Sequence, residues 1–179
     1  MHKAVFLDRD GVINKSLLVS GVPTPPRHFE EIEILEGVVE AIALLKLHHF
    51  IPVVVTNQPD VSREVITREQ VEAFNRFIGA STDIQYFYNC FHDDHDCCYC
   101  RKPSPGLIHR ASLDLNLDLK ESYMVGDRWR DVAAGQAAGC QAYFIDYSYG
   151  EKQPVLPYMT VSSLLEAVRH IVRGTSGDK

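Results

Sequence analysis

An α/β fold, with a mostly parallel sheet covered by helices on both faces, is predicted by three features of the sequence. Short apolar runs rich in β-branched residues alternate with segments carrying apolar residues at helical spacing. Parallel neighbours need crossover segments of this helical kind. The 179 residues, 45% of them hydrophobic, suffice for the core of one ordinary domain and fall short of two. The expected organisation is a single domain over residues 1–173, with a Cys/His loop at 90–100 and a frayed polar tail, "GTSGDK", at 174–179.

The elements follow in order. "KAVFL" (3–7) is the first strand, and "GVVEAIALLKLHH" carries a helix with apolar positions from Val38 to Leu47. "IPVVV" (51–55) is the next strand. "TREQVEAFNRFI" opens on a capping box, Thr67 to Gln70, and precedes a strand at 84–89, "IQYFYN". In "SPGLIHRASLDL" Ser104 stands at the cap and Pro105 at the first helical position. "YMVGD" is a strand, "RDVAAGQAAG" a helix closed by Gly139, "AYFID" a strand, and 162–173 the last helix. Residues 16–35, rich in turn formers ("SGVPTPPRH"), read as an irregular segment.

Composition narrows the function classes. Eighteen basic against 24 acidic side chains give a net charge of −6, which opposes binding to a phosphate backbone and supplies no polybasic stripe for a membrane surface. No segment approaches eighteen consecutive apolar residues, and the apolar run near the N-terminus is too short for a signal peptide. A cytoplasmic monomer with neither a nucleic-acid nor a membrane partner is expected. In that reducing compartment, five cysteines with four inside residues 90–100 read as a metal or reactive cluster and not as a disulfide frame.

Ligands of such sheets bind beyond the carboxyl ends of the strands. Three strand ends share a polar signature: Asp8 and Asp10 after "VFL", Thr56 and Asn57 after "VVV", and Gly126 and Asp127 after "YMV". If Asp8, Asp10, Asp127 and Asp131 face one pocket, each like-charged pair near 4 Å costs on the order of 4 kcal/mol at an effective dielectric of 20. A cation must relieve that repulsion, and oxygen donors of this kind suit Mg²⁺. Arg101 and Lys102 supply the opposite sign, while Thr56 and nearby amides can donate to phosphoryl oxygens. Such a pocket favours phosphoryl transfer to a carboxylate, with Asp8 as nucleophile. Asp10, two residues along an extended backbone, points toward the same space and can exchange a proton with the leaving oxygen and the attacking water. Gly11 lets the chain turn sharply after the pair.

In the Cys/His loop, Cys90-x-His92 and Cys98-x-Cys100 offer two pairs of soft ligands for one tetrahedral Zn²⁺, with no position left for water, hence a structural site. Cys97 with Cys100, or His95 in place of His92, are alternatives by spacing. Cys140, after a helix-ending glycine, simply packs.

Taken together and in this order, "DRDGVIN", "VVVTNQ", "CRKPSPG" and "VGDRWRD" resemble the haloacid-dehalogenase phosphatases. The resemblance implies a doubly wound, three-layer Rossmann-like sheet. It also implies that Asp8 attacks, that Asp10 shuttles the proton and ligates Mg²⁺ through its carbonyl, that Thr56 and Lys102 steady the phosphoryl group, and that Asp127 completes the metal site. The loop preceding "RKP" is similar to that of the heptose 1,7-bisphosphate 7-phosphatases, with histidinol-phosphate phosphatases as relatives. That likeness implies Cys90, His92, Cys98 and Cys100 as the zinc ligands and a small phosphorylated sugar as the substrate. It also implies substrate contacts from Arg101, Arg128 and the strand-end residues Asn57 and Gln58. The intervals from Asp8 to Thr56 and from Thr56 to Lys102 are filled by loops and single elements, so no lid domain is expected, and specificity falls to the rim loops, including 14–30.

Overall fold

The computed structural model describes residues 1–175. Strand β1 (Lys3–Leu7) is followed by a short hairpin, β2 (Leu17–Val19) and β3 (Val22–Thr24), and then by α1 (Val38–Leu47) and β4 (Phe50–Asn57). Next come α2 (Arg68–Thr82), β5 (Tyr86–Cys90), α3 (Gly106–Leu115), β6 (Tyr123–Gly126) and α4 (Trp129–Ala138). The described chain closes with β7 (Gln141–Ile145), β8 (Met159–Val161) and α5 (Leu164–Thr175).

Six of these strands form one sheet in the order β5-β4-β1-β6-β7-β8, every pairing parallel. From β1 the chain winds outward through β4 and β5, returns to β6 beside β1, and then winds the other way. The strand order therefore reverses between β1 and β6, which is where a doubly wound sheet opens a crevice for ligands.

The alternation of side chains along β1 explains the two layers of helix. Val5 and Leu7 face a core completed by α1, α2 and α5, with Ile42, Leu45, Ile78 and Val168 among its members. Ala4 and Phe6 face the opposite core, closed by α3 and α4 through Leu107, Ile108 and Ala134. A strand buried on both faces reads as a continuous apolar run, as "AVFL" does.

The capping box of α2 forms as its sequence predicts: Gln70 N donates to Thr67 Oγ1 at 3.2 Å and Thr67 N to Gln70 Oε1 at 2.8 Å. Gly139, at φ +88°, ends α4 in the left-handed conformation expected of it.

Several boundaries differ from expectation. Pro105 sits at the cap of α3 and Gly106 opens the helix, one residue later than predicted. The segment 16–35 is not wholly irregular, because Leu17–Val19 pairs antiparallel with Val22–Thr24; three-residue strands around Ser20-Gly21 are too short to show a period. Strand β8 is equally brief and was not predicted. Helix α5 extends through Gly174 and Thr175, so the expected tail starts two residues too early; its remainder lies outside the described residues. No lid domain stands between the motifs among the described residues, and no described helix is long and apolar enough to cross a membrane.

Candidate active site

The three polar strand ends meet because their strands are neighbours in register. Leu7 pairs with Val54 on β4 and with Val125 on β6, and Asp8 N donates to Val125 O at 3.0 Å. Parallel strands finish at the same sheet edge, so Asp8, Thr56 and Asp127 arrive at one level.

Lys102 is the hub. Its Nζ lies 2.8 Å from Asp8 Oδ1 and 2.6 Å from Asp131 Oδ1, with all three side chains nearly enclosed. Asp131, in the first turn of α4, also accepts from Arg128 N at 2.9 Å through its other oxygen. Asp127 is 1% exposed, and neither of its carboxylate oxygens completes a hydrogen bond among the described residues, although the Tyr149 hydroxyl approaches. One oxygen each from Asp8, Asp127 and Asp131 lie within 4.8 Å of one another.

These carboxylates repel one another and are shut off from water. Burial and the charge of Asp131 push the Asp8 carboxyl up to about 6, against the pull of Lys102. Burial, then Asp8 and Asp131, raise Asp127 well above the carboxylate range. Burial opposes the charge on Lys102, but Asp131 and Asp8 outweigh it and carry the ammonium to about 12. With all three carboxylates ionised, the one ammonium would leave two negative charges, and the buried Asp127 oxygens have no approaching donor but the Tyr149 hydroxyl. A divalent cation satisfies both conditions, and hard oxygen donors of this kind suit Mg²⁺.

Two glycines make the crowding possible. A Cβ on Gly11, at φ +95°, would lie 2.1 Å from Asp127 Oδ2; one on Gly126 would lie 2.1 Å from Asp131 Cβ. Gly11 thus serves the approach of Asp127 as well as the turn.

Asp10 stands at the cavity with its carboxylate held from three sides. Arg9 Nη2 donates to Oδ2 at 3.0 Å, Asn14 Nδ2 to Oδ1 at 2.9 Å and Gln58 Nε2 to Oδ2 at 2.8 Å. Gln58 is fully buried and also donates to Thr56 Oγ1 at 2.9 Å, so it is a strut between Thr56 and Asp10, not the substrate contact expected of it. Asn57 borders the cavity, but its amide brackets the backbone of Lys102, accepting from Lys102 N and donating to Lys102 O, both at 3.0 Å. It fixes the lysine's position.

The cavity over these residues, about 290 Å³, is floored by Asp8, Asp10 and Thr56. Its mouth carries Arg27, Arg63, Arg101, Arg128 and Arg130, and one wall is β3 with the following Pro25. Arg128 is ion-paired with Glu151, Arg101 with Asp94 and Arg27 with Asp60.

The Cys/His loop begins where β5 ends at the same edge. Cys90, His92, Cys98 and Cys100 bring their donor atoms together: Cys90 Sγ to Cys98 Sγ 3.6 Å, Cys90 Sγ to Cys100 Sγ 3.2 Å, His92 Nδ1 to Cys100 Sγ 3.3 Å. A zinc–sulfur distance of about 2.3 Å implies a tetrahedral edge of roughly 3.8 Å, so one small ion fits with modest expansion. Cys97 is exposed with φ +46°, and the His95 side chain is 76% exposed, so both spacing alternatives stand outside the cluster. Cys140 is buried, its thiol pushed up to about 12 by that burial, consistent with packing alone.

Sequence reasoning missed Arg9, Asn14 and the full part of Asp131. Asp131 carried a signal: four residues beyond Asp127, a first-turn helix position reaches back toward the strand end. Arg9 and Asn14 carried none, since nothing local separates a buried arginine from a solvated one.

Comparison with known proteins agrees with this geometry. A HAD-hydrolase-like family model matches residues 99–167. The D-glycero-beta-D-manno-heptose-1,7-bisphosphate 7-phosphatase of Haemophilus ducreyi is 34% identical over 149 residues, 76% of this chain and 79% of that protein. The enzyme of the same name from Escherichia coli K12 is 35% identical over 147 residues, covering 75% and 74%. The crystal structure of the D,D-heptose 1,7-bisphosphate phosphatase from B. bronchiseptica, complexed with magnesium and phosphate, superposes with a TM-score of 0.84 at 24% identity, over 96% of this chain and 99% of that one. With more than two thirds of its relatives' length matched at over 30% identity, and with the doubly wound sheet in place, the chain belongs to the haloacid-dehalogenase-like phosphatases, in the family of the heptose 1,7-bisphosphate 7-phosphatases.

Proposed function

We propose that this chain is a Mg²⁺-dependent phosphomonoesterase that removes the 7-phosphate of D-glycero-D-manno-heptose 1,7-bisphosphate through an aspartyl-phosphate intermediate. The observation that carries the reading is the buried Asp8 carboxylate against Lys102, beside a buried Asp127 carboxylate that no donor but the Tyr149 hydroxyl approaches. Asp8 Oδ attacks phosphorus as the bond to the sugar oxygen breaks, and Asp10 gives that oxygen a proton. Asp10 then takes a proton from water, whose oxygen attacks the same phosphorus; the acyl-phosphate bond breaks, inorganic phosphate leaves and Asp8 is restored. Thr56 and Lys102 contact the phosphoryl oxygens during both transfers. Asp8, Asp127 and the Asp10 backbone carbonyl would hold Mg²⁺, which supplies charge neutralisation at the phosphoryl group. Asp131 is already committed to Lys102 and the Arg128 backbone.

The substrate assignment rests on the names of the relatives and on the arginines at the mouth, which suit a ligand with a second phosphate. Cys90, His92, Cys98 and Cys100 would hold a structural Zn²⁺ that fixes the loop presenting Arg101 and Lys102. A cytoplasmic location fits a cluster that needs reduced thiols.

The test is phosphate release from heptose 1,7-bisphosphate, histidinol phosphate and other sugar phosphates, with Mg²⁺ and with chelator. The heptose ester should turn over fastest and only with the metal. Faster turnover of histidinol phosphate would reassign the substrate, and metal-independent turnover would reject the site.

A further inference from the structure

Arg9 is among the largest side chains buried in the molecule, at 1% exposure, and the chemistry proposed above gives it no part. A guanidinium sealed from water is costly unless its donors are matched. Here they are. Nε lies 3.2 and 3.3 Å from the two Asp10 oxygens and Nη2 lies 3.0 Å from Oδ2, a forked contact that fixes the plane of the carboxylate. Nη1 donates to Asn75 Oδ1 at 3.0 Å, and Asn75 Nδ2 donates to Asn89 Oδ1 at 2.9 Å. The chain of contacts thus runs from Asp10 beside β1 through α2 to the edge strand β5.

Asp10 needs such a brace. It sits in a turn beyond the strand end, where a short side chain has three staggered wells for its first torsion, and a proton can be handed to the leaving oxygen only across hydrogen-bond distance. Asn14 and Gln58 each restrain one oxygen, whereas Arg9 alone grips both and is itself anchored in a second element.

We infer that Arg9, anchored through Asn75 and Asn89, is a positioning residue that aims the Asp10 carboxylate for proton transfer. The inference rests on the acid role proposed for Asp10 and adds the device that makes the aim depend on how α2 docks.

The reaction offers a readout that a purely structural arginine would not move. Through the first transfer to Asp8, measured as kcat/KM, a sugar phosphate needs a proton on its departing oxygen, whereas p-nitrophenolate leaves without one. Arg9→Lys keeps the charge and loses the fork. It should lower kcat/KM for the sugar phosphate by about ten- to a hundredfold and for p-nitrophenyl phosphate by less than about threefold, the scale of a misaligned reacting group. Asn75→Ala, which leaves Arg9 in place and cuts its anchor, should act in the same direction more weakly, and it carries the test should Arg9→Lys fail to fold. On an Asp10→Asn background Arg9→Lys should add nothing. Equal losses on both esters, no loss on either, or additivity with Asp10→Asn would overturn the inference. Asp10→Asn is the reference: if it discriminates between the esters and the Arg9 and Asn75 variants do not, only the positioning role falls; if it does not, the acid role falls with it.

Discussion

The aspartate cluster at the ends of β1 and β6 buries its donors, crowds like charges and leaves Asp127 with no approaching donor but the Tyr149 hydroxyl, while the cysteine cluster at the end of β5, on the same sheet edge, is more exposed and takes its donors from Cys90 at the strand end and from the loop that follows it. Both gather groups that could hold a cation. The first is assembled from segments more than a hundred residues apart, Asp8 and Asp127, and is held open by rigid strands and by Lys102. The second is local, Cys90 to Cys100, with His92 on the surface. A rigid site under electrostatic stress can wait for its ion with the fold intact, because the sheet supports it. The Cys/His loop rests on the core closed by α3 and α4 through Cys90, Cys98 and Cys100, and an ion held by its donors would add to that stability.

The sharpest way to break the comparison is Asp8→Asn. Turnover should fall to background while the metal-free protein keeps or gains thermal stability, because a neutral amide removes one of the repelling charges; residual turnover near normal would remove Asp8 as nucleophile. Asp10→Asn comes next and should lower turnover by roughly 10²–10⁴-fold, the range of general acid–base catalysis, with phosphate release as the measurement. Cys98→Ser tests the other cluster. Zinc content by elemental analysis and the melting temperature should fall together, and activity should drop as a consequence of a loosened Lys102. A variant of unchanged stability that holds no zinc would show that the loop stands without the ion.

The smallest effect expected is on pH. The Asp8 carboxyl is raised from 3.8 to about 6 in the folded, metal-free protein, and Asp127 is raised as well. Both bind protons more tightly in the folded than in the unfolded chain; the stabilising contribution of Asp8 is complete below about pH 4 and is lost as pH rises through about 6. Mg²⁺ competes with those same protons, so its apparent affinity should climb between pH 5 and 7. Titrations of the metal followed by thermal shift would show this. An affinity independent of pH would mean that the carboxylates are not the ligands.

Much of this was legible in the linear chain because the signals are local. Alternating apolar runs gave the layers, and polar residues directly after three such runs marked Asp8, Asp10, Thr56 and Asp127. A C-x-H and a C-x-C bracketed the loop. Each depends only on a strand's period of two or on neighbours within a few positions. The departures share the opposite property. Asn57 and Gln58 look alike as polar residues at a strand end, but Asn57 borders the cavity while bracketing Lys102, and Gln58 is buried as a strut to Asp10, partners brought beside them from 45 and 48 positions away. Residues 17–24 fold into a hairpin whose second strand walls the cavity, which three-residue strands could not announce.

Residue types and their spacing thus determined the sheet, the chemistry available at its edge and the soft donor set of the loop. Tertiary structure alone decided that Asp131 shares Lys102 with Asp8, that Asn57 brackets the Lys102 backbone, and that Arg9 is sealed behind Asp10. Those outcomes follow from burial and from the parallel register of β4, β1 and β6, both created by contacts between distant segments, and no local pattern encodes a distance that exists only after the sheet has closed.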